Sequence, residues 1–152
     1  MRLRLGTIVA IFSLGFGTFP SLAGPLRESQ DVQKLLLPGT TRQKVLDAAA
    51  RVSVDHGYQL YRMKKSSAVL LTPATMREVD LVGWNDVGAA RKRLTFEVYE
   101  RRNAIRVLGA IDLVAGIGTV GEKTASLARQ QPFRNELKQI LADLRDSIIK
   151  GD

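Results

Sequence analysis

Gly116-Ile117-Gly118-Thr119-Val120-Gly121 spells a GxGxxG pattern directly after a predicted strand, and Lys123-Thr124 follows closely. Glycines at this spacing can turn backbone N–H groups toward phosphate oxygens. The phosphate-loop reading fails on spacing, because Glu122 separates Gly121 from Lys123. That loop needs the lysine next to the glycine so that its ammonium meets the terminal phosphates. The dinucleotide reading fails on context, because it needs a parallel βαβ unit with further strands beyond it. Only one helix is predicted after Gly121, so residues 115–130 read as a glycine-containing linker that turns helical from Thr124.

His56 is the only histidine, and the chain has no cysteine. Thiolate metal sites, multi-histidine metal sites and disulfides are therefore all excluded. A Ser–His–acid relay would have to use His56. Its place beside Gly57, where a helix is predicted to end, suits an imidazole that bonds the last helical carbonyls. Asp55, Asp80, Asp86 and Asp112 supply carboxylates for a paired-carboxylate site, but Trp84 is the only tryptophan to serve as a sugar platform. No resident cofactor is expected.

The basic residues are the stronger binding candidates. Arg91-Lys92-Arg93 opens a predicted strand and Arg101-Arg102 lies in the turn after it. Paired as a hairpin, these strands put the two groups at opposite ends. Arg62, Lys64 and Lys65 flank an earlier hairpin. They are candidates for holding an anionic partner, set against the alternative that they are solvated strand ends that resist aggregation. Trp84, in Val82-Gly83-Trp84-Asn85, is either an interface anchor or a ring folded over the sheet.

The elements that must position these groups follow from pattern. Leu26 to Leu37 is a lead-in, extended or short-helical, closed by the turn dipeptide Pro38-Gly39. Thr40-x-x-Gln43 fits a capping box, and Val45, Ala48, Ala49 and Val52 then repeat at helical spacing. Gly57 supplies the left-handed residue that ends this helix. Tyr58–Met63 and Ala68–Thr72 read as an antiparallel hairpin around Lys64-Lys65-Ser66-Ser67. Residues 74–90 read as a long connection that could contain a strand. Arg93–Glu100 alternates with Leu94, Phe96 and Val98 on one face. Ala104–Leu113 returns, with Gly109 as a bulge or a point of close approach. From Pro132, Phe133, Leu137, Ile140, Leu141, Leu144 and Ile148 form one helical stripe, and Gly151 follows its end. The expected fold is α+β: a two-layer domain over residues 40–150, with an antiparallel sheet of four to five strands and the N- and C-terminal helices packed on one face.

Residues 1–23 read as an export signal. Arg2 and Arg4 precede an uncharged stretch from Leu5 to Phe19, and Pro20-Ser21-Leu22-Ala23 ends it with small residues where a signal peptidase reads. Cleavage between Ala23 and Gly24 leaves residues 24–152, the size of one ordinary domain, with 24–39 as the lead-in. Leu22-Ala23-Gly24 resembles the tripeptide before the lipidated cysteine of bacterial lipoproteins, but Pro25 follows and offers no thiol to acylate. Asn85, Asn103 and Asn135 all fail as glycosylation sequons. The expected location is therefore the bacterial periplasm or the exterior, without a lipid anchor at this position.

Lys and Arg total 23 against 15 Asp and Glu, giving a formal charge of +8 for the whole chain, less the two leader arginines after cleavage. An exported basic protein meets anionic lipid headgroups, lipopolysaccharide phosphates or acidic proteins rather than nucleic acid.

Thr41 to Thr72 carries a helix, Gly57-Tyr58, a strand, a Lys/Ser-rich turn and a strand. This order resembles the helix-grip domains of the outer-membrane assembly lipoprotein C type. The resemblance implies an accessory part of an envelope complex, without catalysis; Pro25 departs from that family's lipidated cysteine. The sequence thus leads to a non-enzymatic envelope protein acting as a binding or accessory module, partnered by an envelope protein or an anionic membrane surface and needing no metal. Lipid or lipopolysaccharide binding through basic strand ends is one alternative, and a hydrolase using His56 is the other.

Overall fold

The computed structural model describes residues 32–73 and 90–151. The leader with Ala23 and Gly24, the region around Trp84, and the strand considered within 74–90 lie outside the described residues. In chain order the elements are β1 (Gln33–Pro38), α1 (Arg42–Asp55), β2 (Gln59–Lys64), β3 (Ser67–Leu71), β4 (Arg91–Arg101), β5 (Ala104–Ala115), β6 (Lys123–Ser126) and α2 (Gln131–Lys150). The fold is α+β. One antiparallel sheet runs β1-β5-β4-β3-β2, and β6 also pairs with β5.

The longest strand, β5, is the spine. Along one edge it pairs with β4 over all but its last residue, from Arg101↔Ala104 to Arg91↔Val114. Its other edge is shared: β1 covers Ala104 to Gly109, and β6 covers Asp112 to Ala115. This sharing decides two points of the sequence reading. Gln33–Pro38, in the lead-in, takes the extended of its two readings as an edge strand, and Lys123–Ser126 is a short strand rather than the start of a helix, which brings the sheet to six strands. Without β6, the buried backbone of Leu113 to Ala115 would lose its partners on that edge. Pro38 is tolerated because it ends an edge strand.

Strand alternation sends Leu94, Phe96 and Val98 of β4, and Ile105, Val107, Ile111 and Leu113 of β5, to one face. There they join Val45, Leu46, Ala48, Ala49 and Val52 of α1 and Leu137, Ile140, Leu141 and Leu144 of α2 in one core. Gly109 is a point of close approach and not a bulge, since the β4–β5 register runs through it unbroken. A Cβ there would sit 3.1 Å from Leu137 Cδ1 and 3.6 Å from Leu141 Cδ2, so the bare backbone is what lets α2 lie down on β5. On the far face, Val32, Leu108 and Ala110 form a separate small cluster.

The helix ends follow their local chemistry. The N-cap of α1 is Thr41, one residue later than the capping box predicts; its hydroxyl accepts from the Lys44 N–H at 3.3 Å. Gln43 instead donates to Asp47 one turn on. Gly57, at φ +82°, ends the helix: its N–H bonds Val54 O while Tyr58 N–H bonds Ser53 O. This is the paired Schellman closure. Pro132 opens α2, and Gly151, left-handed at φ +78°, closes it. Among the described residues no helix is long and apolar enough to cross a membrane.

Leu141 is buried and touches the spine where α2 comes closest. Leu141→Ala is expected to cost about 2–5 kcal/mol by chemical denaturation, the usual cost of a large core truncation. A loss below about 0.5 kcal/mol, within the range of ordinary surface changes, would show that the α2 stripe is not core.

Candidate functional site

The five basic residues singled out from sequence divide into spent and unspent charges. Arg91 and Arg101 are the first and last residues of an 11-residue strand, so at about 3.4 Å per residue they are some 34 Å apart. Near the Arg91 end, Lys92 and Arg93 are satisfied internally, while Arg91 itself is exposed. Lys92 faces the helices, and its ammonium lies 2.6 Å from Glu136 Oε1 on α2, over the rings of Tyr58 and Phe133. The buried Tyr58 hydroxyl donates to the same carboxylate oxygen at 2.9 Å. Burial, reinforced by the Glu136 charge, pushes the Tyr58 phenol far above its ordinary range and keeps it neutral.

Arg93 points to the far face and is held just as firmly. Its guanidinium meets Glu122 at 2.9 Å and Asp112, directly opposite it on β5, at 3.3 Å. Glu122 belongs to the glycine-rich loop, and its side chain is only 5% exposed. Its other oxygen accepts the Gly118 N–H at 3.0 Å, while Thr119 closes back on Gly116 O through both its N–H and its hydroxyl. The loop's own carboxylate therefore occupies the place where a phosphate would sit. The loop also leads into β6 rather than a helix, so neither nucleotide reading has its geometry. Among the described residues no group of three His, Cys, Asp or Glu is arranged to hold a metal ion.

The backbone N–H of His56 bonds Ser53 O of its own helix, but its imidazole reaches elsewhere. Its Nε2 donates to Asp143 Oδ2 on α2 at 2.8 Å, while Gln139 donates to the other carboxylate oxygen. The pair sits in a groove between the helices with Arg51, Ser147 and Lys150. Among the described residues no hydroxyl is hydrogen-bonded to the imidazole, and the geometry is that of a clamp between α1 and α2. Sequence reasoning placed His56 correctly at a helix end but could not see the partner 87 residues away.

The opposite end of the sheet differs. The β2–β3 and β4–β5 turns both lie there, because β3 runs antiparallel to β2 and to β4. Ser66 O accepts from Val98 N–H at 2.8 Å, which sets the Lys64-Lys65 turn against β4 three residues before Arg101. The two turns are thus about 10–15 Å apart. Among the described residues, Lys64, Lys65, Arg101 and Arg102 have no carboxylate partner. The nearby acids are engaged: Glu100 pairs with Arg42 at 3.1 Å, and Glu97 accepts the Tyr99 hydroxyl. Pairing of Lys64-Lys65 with Arg101-Arg102 was the juxtaposition missed in the sequence. It rests on the β3–β4 contact, which spans the long segment between those strands.

Arg102 takes φ +36°, a backbone region that L-residues rarely adopt and glycine adopts freely. A charged side chain therefore stands at the hairpin tip where backbone comfort favours glycine or asparagine.

Two predictions follow from the paired groups. Glu136→Ala removes the shared acceptor of Tyr58 and Lys92 and should cost about 1–3 kcal/mol, the penalty for stranding enclosed donors; denaturant melts of the variant and wild type measure it. The hydrogen bond from His56 holds the Asp143 carboxyl below its ordinary value. A carboxyl lowered by folding contributes its stability above the unfolded value, near pH 4, and loses it as pH falls through the lowered folded value. The melting-temperature gap between wild type and Asp143→Asn should therefore be open at neutral pH and close on acidification through that window.

Comparison with known proteins adds little. No family model matches the chain, and no curated protein does. Among solved structures it is similar to a TBP-like protein from Parabacteroides distasonis, at 9% identity and a TM-score of 0.30, covering 78% of this chain and 84% of that one.

Proposed function

We propose that this chain is an exported, non-enzymatic binding module of the bacterial envelope, and that it docks on an anionic partner through the turn-bearing end of its sheet. One observation carries the reading: Lys64-Lys65 and Arg101-Arg102 lie at neighbouring turns with no carboxylate partner among the described residues, while Lys92 and Arg93 towards the other end are neutralised by Glu136, Glu122 and Asp112. Unspent cations gathered at one end create a positive field that attracts phosphate- or carboxylate-bearing surfaces. The leader-like residues 1–23 support an envelope address, and the resemblance of Thr41–Thr72 to helix-grip domains supports an accessory role.

The backbone at Arg102 supports the same reading. A residue held in a disfavoured conformation at an exposed tip suggests that its side chain is wanted there.

Binding to long-chain polyphosphate and to vesicles containing anionic lipid, measured at low and at raised salt, tests this reading. Wild type should bind at low salt and release as salt screens the contact. Arg101→Ser with Arg102→Ser should weaken binding roughly thirtyfold, since each basic residue near an anionic surface contributes about 1 kcal/mol. Arg102→Gly is the sharper variant. It removes a cation but relaxes the backbone, so binding should fall while melting temperature holds or rises. Wild-type protein that ignores both polyphosphate and anionic vesicles at low salt would overturn the proposal.

A further inference from the structure

The far face of the sheet adds a second kind of contact beside the free cations. Cross-strand register sets Leu36 of β1 opposite Arg106 of β5, and Arg106 opposite Tyr99 of β4. The three form one row on the face turned away from the helices. Leu36 is 62% exposed and Tyr99 is 38% exposed. Arg101 follows Tyr99 on the same face, two residues and about 7 Å along the strand. Lys64 lies on that face too, in the next row with Ser67 and Glu97.

The result is an exposed leucine and tyrosine on either side of Arg106, with further cations beside them, at the outer corner of the sheet. The Tyr99 hydroxyl is tied to Glu97, and this bond, with some burial, pushes the phenol up to about 12. The ring therefore stays neutral, and Glu97, the carboxylate on the same strand face, is already bonded. Each component matches one layer of an anionic bilayer surface. Cations meet the headgroup phosphates, a tyrosine ring suits the boundary between headgroups and hydrocarbon, and an exposed leucine gains by leaving water. A soluble polyanion would use only the cations.

Resting on the binding reading above, we infer that the anionic partner is a lipid bilayer, and that the protein seats on it by the Leu36–Tyr99 corner with Arg101, Arg102, Lys64 and Lys65 around it. The helices then face away from the membrane.

The chain has no cysteine, so a single introduced thiol can carry an environment-sensitive dye. Leu36→Cys labelled in this way should shift to the blue on vesicles of anionic and zwitterionic phospholipid, and should not shift with polyphosphate. The same dye on Val54→Cys, exposed on α1, should not shift with either. Leu36→Ser with Tyr99→Ser should lower vesicle partitioning at least roughly tenfold, the scale of losing two interfacial side chains, and leave polyphosphate binding unchanged. Tyr99→Phe keeps the ring and should retain vesicle binding, which separates insertion from loss of the Glu97 bond.

If Leu36→Ser/Tyr99→Ser partitions like wild type while Arg101→Ser/Arg102→Ser still weakens binding, the bilayer inference fails and the charge reading stands, with an acidic macromolecule as the partner. If wild type binds neither vesicles nor polyphosphate, both fall together.

Discussion

The contact between α2 and the bare backbone of Gly109 sets the spacing of the two layers. With Leu137 and Leu141 seated directly on β5, the helix lies close enough for Ile140 and Leu144 to complete the core shared with α1. The strand beneath must be straight and fully paired to accept it. That requirement accounts for the division of β5's outer edge between β1 and β6, two short strands from distant parts of the described chain. Much of the rest follows, because β4 takes its register from β5, and β3 and β2 follow in turn.

The layers are then pinned by polar contacts, one enclosed at Glu136 and one more open at Asp143. Tyr58 and Lys92 converge on Glu136, and His56 reaches Asp143 two turns further along α2. Hydrophobic packing alone does not specify how far one helix slides past another, whereas a hydrogen bond with a fixed partner does. One carboxylate accepting from both a phenol and an ammonium fixes α2 relative to both α1's exit and the start of β4. These contacts use up the groups that looked most chemical in the sequence. The only histidine and two of the five highlighted cations serve the architecture, and the GxGxxG loop is closed by its own glutamate.

The elements with a strong period were legible from sequence: α1, β4, β5 and α2 are where their alternation or stripe puts them. The first hairpin was marked by its polar turn, and Gly57 and Gly151 were marked as helix ends. The misses have physical causes. Lys123–Ser126 is four residues of mixed polarity, and it is a strand because β5 has an open edge there, which no local pattern records. The capping-box spacing favours Thr40, with Gln43 three residues on, but Thr41 is the cap and Gln43 bonds Asp47 instead. The candidate surface was half legible. Arg101 and Arg102 stood out, and their separation from Arg91 followed from the hairpin. Their proximity to Lys64-Lys65 needed the β3–β4 pairing, and the spending of Lys92 and Arg93 depended on acids 44 and 29 residues away.

Lys92 and Arg93 are paired towards one end of β4, whereas Arg101 and Arg102 at the other have no carboxylate partner among the described residues; on the proposed reading, this asymmetry contributes an electric moment along the strands. Such a moment exerts a torque in any external field. Approaching a negatively charged boundary, the protein would be turned before it touches, and more of its early collisions would be end-on with the hairpin tips leading. The effect fades as mobile ions thicken around both bodies, so orientation would be imposed mainly within the last nanometre. A weak adhesive surface can then act with an apparent speed out of proportion to its strength, since few encounters are lost to misdirected contact.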